Sequence, residues 1–167
     1  MLVQKNDTAA ALADFLRHEG GLPAVAESDL HVGVDNPLSC ALLSLLRAAA
    51  HPGDSLAWEH VRMTPLAAVL AHEGLEQRDA MTERMLGEVH ADGFERTVER
   101  WLRKLEPHLA ADDEFSRERG RQLAEAARIF DENGRRDVAE FCDFAARYTV
   151  RDPETAGVVR VMTVHKA

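Results

Sequence analysis

The apolar positions along the chain change rhythm twice. "MLVQ", at Met1–Gln4, is a short β-like run that hands over at Asn6–Asp7–Thr8, residue types that favour a helix N-cap. Leu12, Phe15 and Leu16 then share one helical face, and Gly20–Gly21 supplies a helix stop. "LPAVAES", beginning at Leu22, reads as a second short strand. The opening segment is therefore strand, helix, strand, the wiring of an α/β unit.

From Asn36 to about Thr149 the rhythm is helical. Asn36 stands at a cap position and Pro37 at the first helical position, where its missing N–H costs nothing. Leu38, Ala41, Leu42, Leu45, Leu46 and Ala49 follow as one apolar stripe. "HPGD" breaks that helix, and Asp54 can cap the next, which bears Leu56, Trp58 and Val61. Two further stripes are Phe94, Val98, Trp101, Leu102 and Leu105, then Phe115, Leu123, Ala126 and Phe130. Asn133–Gly134 ends the second of these, and Asp137 starts a helix with Val138, Phe141, Cys142, Ala145 and Tyr148. No fixed period recurs, which argues against a helical solenoid.

The β rhythm returns only at the end, where the turn-rich "RDPETAG" leads into a strand over Val158–Val164. This order predicts a mainly α chain: a multi-helix subdomain at 36–150, inserted between short β/α elements at 1–35 and 151–167. The sheet is expected to be incomplete, because three short strands and one helix cannot bury both faces.

Composition narrows the function classes. Apolar residues make up 46% and charged residues 29%, so a globular core is expected. A net charge of −9 argues against a free-standing, non-specific DNA binder, which must neutralise phosphates with Lys and Arg. No apolar run approaches the ~20 residues of a membrane span, and "MLVQKND" lacks a signal-peptide core, which points to the cytoplasm and no membrane partner. Cys40 and Cys142 each sit on an apolar helical face and are expected to be buried free thiols. The eight histidines show no zinc-ligand spacing, so no metal site is expected. Trp58 and Trp101 lie on apolar faces and are expected in the core.

Two segments, in this order, carry a family resemblance. "VRVMTVHKA" resembles the motif V region of UvrD/Rep-type superfamily 1 DNA helicases, in which an apolar strand enters a Thr-x-His-x-Ala-like turn. "LVQKNDTAAALADFLRHEGGLPAVAES" is similar to their motif IV region: strand, Asn, helix, then a Leu-Pro or Ile-Pro strand. In that family a helical insertion, the 2B subdomain, separates the two. "DNPLSCALLSLLRAAAHPGDSLAWEHVRMTPL" resembles the first helices of that insertion. The similarity leans to the RecB/AddA (exonuclease V) branch. UvrD-like insertions follow the Thr-Pro with a Gly-Ile-Gly hairpin that grips duplex DNA, whereas here Thr64–Pro65 is followed by "LAAVLAHEG".

The resemblance implies a fragment of an ATP-dependent DNA helicase acting in recombination or repair. It would run from the motif IV edge of the second RecA-like lobe, through the insertion, to a cut inside motif V. No G-x-x-x-x-G-K-[ST] loop is present, so no catalytic residue is assigned and the fragment should hydrolyse nothing alone; ATP and Mg would belong to the parent. Where the family carries an aromatic and an arginine in motif IV, this chain has Val3 and Gln4. Glutamine brings no charge to a γ-phosphate, which leaves Lys5, or a motif elsewhere, for that role. Thr163, His165 and Lys166 match the turn that touches single-stranded DNA, and a hydroxyl and an imidazole suit phosphate and base.

Arg117, Arg121, Arg128 and Arg135 recur at helical spacing on the long helix that bears Phe115 to Phe130 and could track a phosphate backbone, but Glu118 and Glu125 interleave them as in a solvated ion-paired face. Arg96, Arg100, Arg103 and Lys104 are diluted in the same way by Glu95, Glu99 and Glu106. Partners expected in the parent are single-stranded or duplex DNA and a helicase-nuclease partner subunit; unpaired strands could also let the piece self-associate. The rival expectation is a self-contained helical protein-interaction module with no nucleotide partner.

Overall fold

The computed structural model describes residues 1–22, 24–26, 30–34, 36–150 and 159–163. Among these the chain is mainly helical, and its contacts divide it into two units. One unit is made of both terminal segments, Met1–Leu30 and Thr149–Ala167; the other is the continuous stretch His31–Tyr148.

In the first unit, β1 (Leu2–Val3) is followed by α1 (Asn6–His18) and β2 (Ala24–Ala26). These two strands do not pair with each other. The slot between them is filled by β5 (Val159–Thr163), which runs parallel to both and gives the order β1-β5-β2. Leu2 and Val3 stand opposite Met162 and Thr163, while Ala24 to Ala26 stand opposite Val159 to Val161. Ala9 and Ala13 of α1 bury against Ala24 and Val161, with Val3, Leu12, Leu16 and Val159 packed round them. Alanine on the helix lets it approach the short strands closely, so a small apolar cluster suffices. Two expectations fail here. The N-cap of α1 is Lys5 rather than one of Asn6–Asp7–Thr8, with no side-chain cap, and Phe15 is 59% exposed because none of the described residues of the unit covers that flank of the helix. Gly21 does close the helix as expected, at φ 58°, after the Leu22 N–H returns to the Leu16 carbonyl at 3.0 Å.

The second unit is helical; the short strands β3 (Leu30–His31) and β4 (Thr149–Val150), which form a two-stranded pair, stand at its limits in the sequence. Within the unit the Val32 N–H donates to the Tyr148 carbonyl at 3.0 Å, and the Gly33 N–H to the Ala145 carbonyl at 3.1 Å. A Cβ on Gly33 would lie 2.7 Å from that Ala145 oxygen, so only glycine allows this approach. The helices are α2 (Pro37–Ala50), α3 (Ser55–Arg62), α4 (Leu66–His72), α5 (Arg78–Leu105), α6 (Glu114–Asp131) and α7 (Val138–Arg147), with a 3-10 turn at Glu106–His108. Asn36, Asp54 and Asp137 cap α2, α3 and α7 as their types predict, accepting from Ser39, Ala57 and Glu140 N–H groups.

α2 is the central helix, buried along most of its length, because Leu and Ala occupy nearly its whole circumference. Ser44 Oγ on α2 lies 2.7 Å from His60 Nδ1 on α3 and ties the two helices. Phe94, Phe130 and Phe141 form a three-ring cluster between α5, α6 and α7, with Phe94 and Phe141 stacked at 4.3 Å. Trp58 and Trp101 are core residues, and Cys142 is buried while Cys40 is only partly so; neither is in a disulfide. Two stripe residues are corrected: Leu56 is 81% exposed and Phe115 is 53% exposed. The residues after Thr64–Pro65 form α4, a helix, with Leu66, Val69 and Leu70 buried.

Candidate functional site

Parallel strands end on one edge of their sheet, and in open α/β sheets ligands collect at that carboxyl edge. β1 and β5 finish there in register, Val3 opposite Thr163. Gln4 and Lys5, both exposed, follow β1 immediately, and α1 rises from the same place. Residues from the two ends of the sequence, Gln4 and Lys5 on one side and Thr163 on the other, are thus brought to a single edge. His165 and Lys166, together with Val158, Val164 and the "RDPETAG" linker, lie outside the described residues.

An amide, an ammonium and the uncapped first turn of α1 are donors, and donors at a strand-to-helix turn suit an anion such as phosphate. Gln4 and Lys5 offer no carboxylate pair for Mg, so they do not hold a metal–nucleotide complex by themselves. A second wall is required for that chemistry.

Five of the seven arginines singled out in the sequence of the second unit are engaged with carboxylates. Arg117 donates to Glu106 at 2.7 Å and to the Ala110 and Ala111 carbonyls, which fastens the loop before α6. Arg121 pairs with Glu118 at 2.7 Å, and Arg128 with Glu125 and Glu132 at 2.6 Å each. The Glu125 carboxylate beside Arg128 raises that guanidinium's pKa, and Arg128 in turn holds Glu125 below its usual range. Arg135 lies beyond the end of α6, not on it, and pairs with Glu140 at 2.9 Å. Arg100 pairs with Asp92 at 2.6 Å and lowers its pKa; Lys104 does the same to Glu73, also at 2.6 Å, while lying over the Trp101 ring. Arg96 and Arg103 are exposed.

Three functional-looking residues escape a reading of the sequence. Glu88 is 8% exposed, and its carboxylate accepts from Trp101 Nε1 at 3.0 Å, from Arg84 at 2.5 Å and from Arg100 at 3.2 Å. A straight helix would separate residues thirteen apart by about 20 Å, beyond the reach of the two side chains. α5 is accordingly folded into an elbow at Gly93, whose φ 85° and ψ 178° are not helical. Asp131 of α6 caps the second half of that helix, accepting from the Phe94 and Glu95 N–H groups at 3.0 and 2.9 Å and from Arg136 at 3.0 Å. The only local signal is Gly93 itself, since the cap comes from another helix.

Among the described residues, no cluster of three or more His, Cys, Asp or Glu could hold a metal, and no helix is long and apolar enough to cross a membrane. The Cys142 thiol, pushed up to about 11 by burial, is a packing residue rather than a nucleophile. No family model, curated protein or solved structure matches the chain.

Proposed function

We propose that this chain belongs to a UvrD/Rep-type superfamily 1 DNA helicase of the RecB/AddA-like branch, contributing part of the second RecA-like motor lobe and the helical subdomain inserted into it. The observation that supports this is the position of β5. A strand from the end of the sequence fills a parallel slot left between β1 and β2, with Val3 and Thr163 in register at the carboxyl edge. A sheet that is left open, interrupted by a helical unit and then completed in parallel is what the motif IV and motif V resemblance requires.

In this reading the edge bearing Gln4, Lys5, Thr163, His165 and Lys166 lines the groove between the two lobes. ATP with Mg, held mainly by the other lobe, would supply the free energy of lobe closure. Thr163, His165 and Lys166 would bear on a single strand through phosphate and base contacts, and Gln4 or Lys5 would reach toward the nucleotide. The helical unit would position DNA or a helicase-nuclease partner subunit, and the whole would act in the cytoplasm. With no Walker loop of its own, the chain would not hydrolyse ATP alone.

Sequencing the genomic DNA on both sides of this stretch tests the assignment. The reading expects a G-x-x-x-x-G-K-[ST] loop upstream and a Lys-Gly-Leu-Glu-Phe-like continuation after Ala167. A stop codon after Ala167 with no such loop upstream would contradict it. A self-contained helical interaction module is the second reading. It is favoured by the core of the His31–Tyr148 unit, whose aromatic cluster and the backbone bonds joining Val32 and Gly33 to Tyr148 and Ala145 lie within the unit itself.

A further inference from the structure

α5 departs from helical geometry at Gly93, whose φ 85° and ψ 178° lie where only glycine sits without strain. Contacts distant in sequence hold the bend. Asp131 of α6 takes the Phe94 and Glu95 N–H groups, which a straight helix would bond to the carbonyls of His90 and Ala91. Met85 from the first half of α5 and Val98 and Trp101 from the second converge on Leu42 and Leu46 of α2. Across the elbow, Glu88 accepts from Trp101 at 3.0 Å and from Arg100 at 3.2 Å. A straight α5 would break these contacts within one chain, because Glu88 and Trp101 would stand about 20 Å apart along it.

We propose that the Gly93 elbow is an exchange hinge: α5 straightens, and two copies of this chain swap halves, residues 1–92 of one packing with 94–167 of the other. The partner is fixed by the contacts themselves. Only an identical copy presents Leu42, Leu46, Met85 and Glu88 in the arrangement that Val98, Arg100 and Trp101 already fit. Those contacts are made again between copies, and the Asp131 cap is the one given up, in return for a continuous helix without the positive φ at Gly93. No loop has to be reordered, since a single residue separates the two helical halves. The exchange also sets Val3 of one copy opposite Thr163 of the other, so that the carboxyl edge of the first unit is built from two chains. The hinge stands whether or not the helicase reading does.

Gly93→Ala tips the balance toward exchange: in the bend its Cβ meets Asp131 Oδ2 at 2.6 Å, whereas in a straight helix alanine is the best helix former. Light scattering after size-exclusion chromatography reads the outcome on the full chain, refolded from urea under reducing conditions. Refolded at about 5 µM the variant should be one chain, and at about 500 µM two chains, with a dimer fraction about tenfold or more above the unaltered protein's. Tagged and untagged dimers should stay separate for hours in buffer and mix only after joint unfolding, because exchange requires the core to open. A Gly93→Ala protein that refolds as one chain at both concentrations overturns the proposal. So does a dimer whose tagged and untagged chains mix within minutes, since that is a contact between faces. If Gly93→Ala does not fold, the unaltered protein refolded at about 1 mM decides. A dimer that survives dilution for hours then supports the hinge; one chain only, or a dimer lost within minutes of dilution, overturns it.

Discussion

Glu88 is the most constrained charge in the second unit. One carboxylate, nearly out of solvent, receives a Trp101 indole N–H and two guanidiniums. Forming such a cluster gains little net free energy, because desolvation offsets the attraction, but removing one member leaves the others unsatisfied. Glu88→Ala should therefore lower the free energy of urea unfolding by about 2–3 kcal/mol with the slope unchanged, since Trp101 loses its acceptor while Arg100 keeps Asp92. Glu88→Gln retains an acceptor for the indole and should cost about 1 kcal/mol. A loss below about 0.5 kcal/mol for Glu88→Ala would mean that water satisfies these donors. Sequence periodicity could not have found Glu88. It marks which face of a helix is apolar, and it cannot mark a carboxylate two of whose three donors, Trp101 and Arg100, come from the far side of a bend.

At the scale of the element, α5 shows why some of the fold was legible and some was not. Caps at Asn36, Asp54 and Asp137 were readable because donor and acceptor lie within three residues. The elbow at Gly93 was not, because the apolar rhythm continues on both sides and the cap, Asp131, lies more than thirty residues downstream. The misplaced Phe15, Leu56 and Phe115 share a cause: periodicity supplies a face, and only tertiary packing says whether anything covers it. Gly93→Ala forces a side chain into a positive-φ position with its Cβ 2.6 Å from Asp131 Oδ2, and should destabilise by about 2–4 kcal/mol. Asp131→Ala removes the acceptor from two N–H groups and from Arg136 and should cost about 2 kcal/mol. The double variant should lose less than the sum, because without the carboxylate the alanine no longer meets it. Additive losses in thermal or urea unfolding would show that the elbow does not depend on this contact.

For the whole molecule, the consequential feature is the discontinuous first unit. Its sheet holds only if the end of the sequence returns to the beginning, and that return is what brings Gln4, Lys5 and Thr163 to one edge. The strands at either end were legible, one as a short β-like run before cap-type residues and the other as a β-branched run after a turn-rich stretch; their parallel interleaving was not, because pairing order leaves no periodic trace. In the proposed reading this edge serves single-stranded DNA within an ATP-driven motor. The direct test is single-strand-stimulated ATP hydrolysis by the protein encoded by the natural reading frame, with Thr163→Ala and His165→Ala beside the unaltered chain. Robust stimulation is expected, falling about 10–100-fold in the double variant, in line with lost phosphate and base contacts, with the urea midpoint retained. Absence of hydrolysis in the unaltered protein, or stimulation unchanged in the variant, would contradict it.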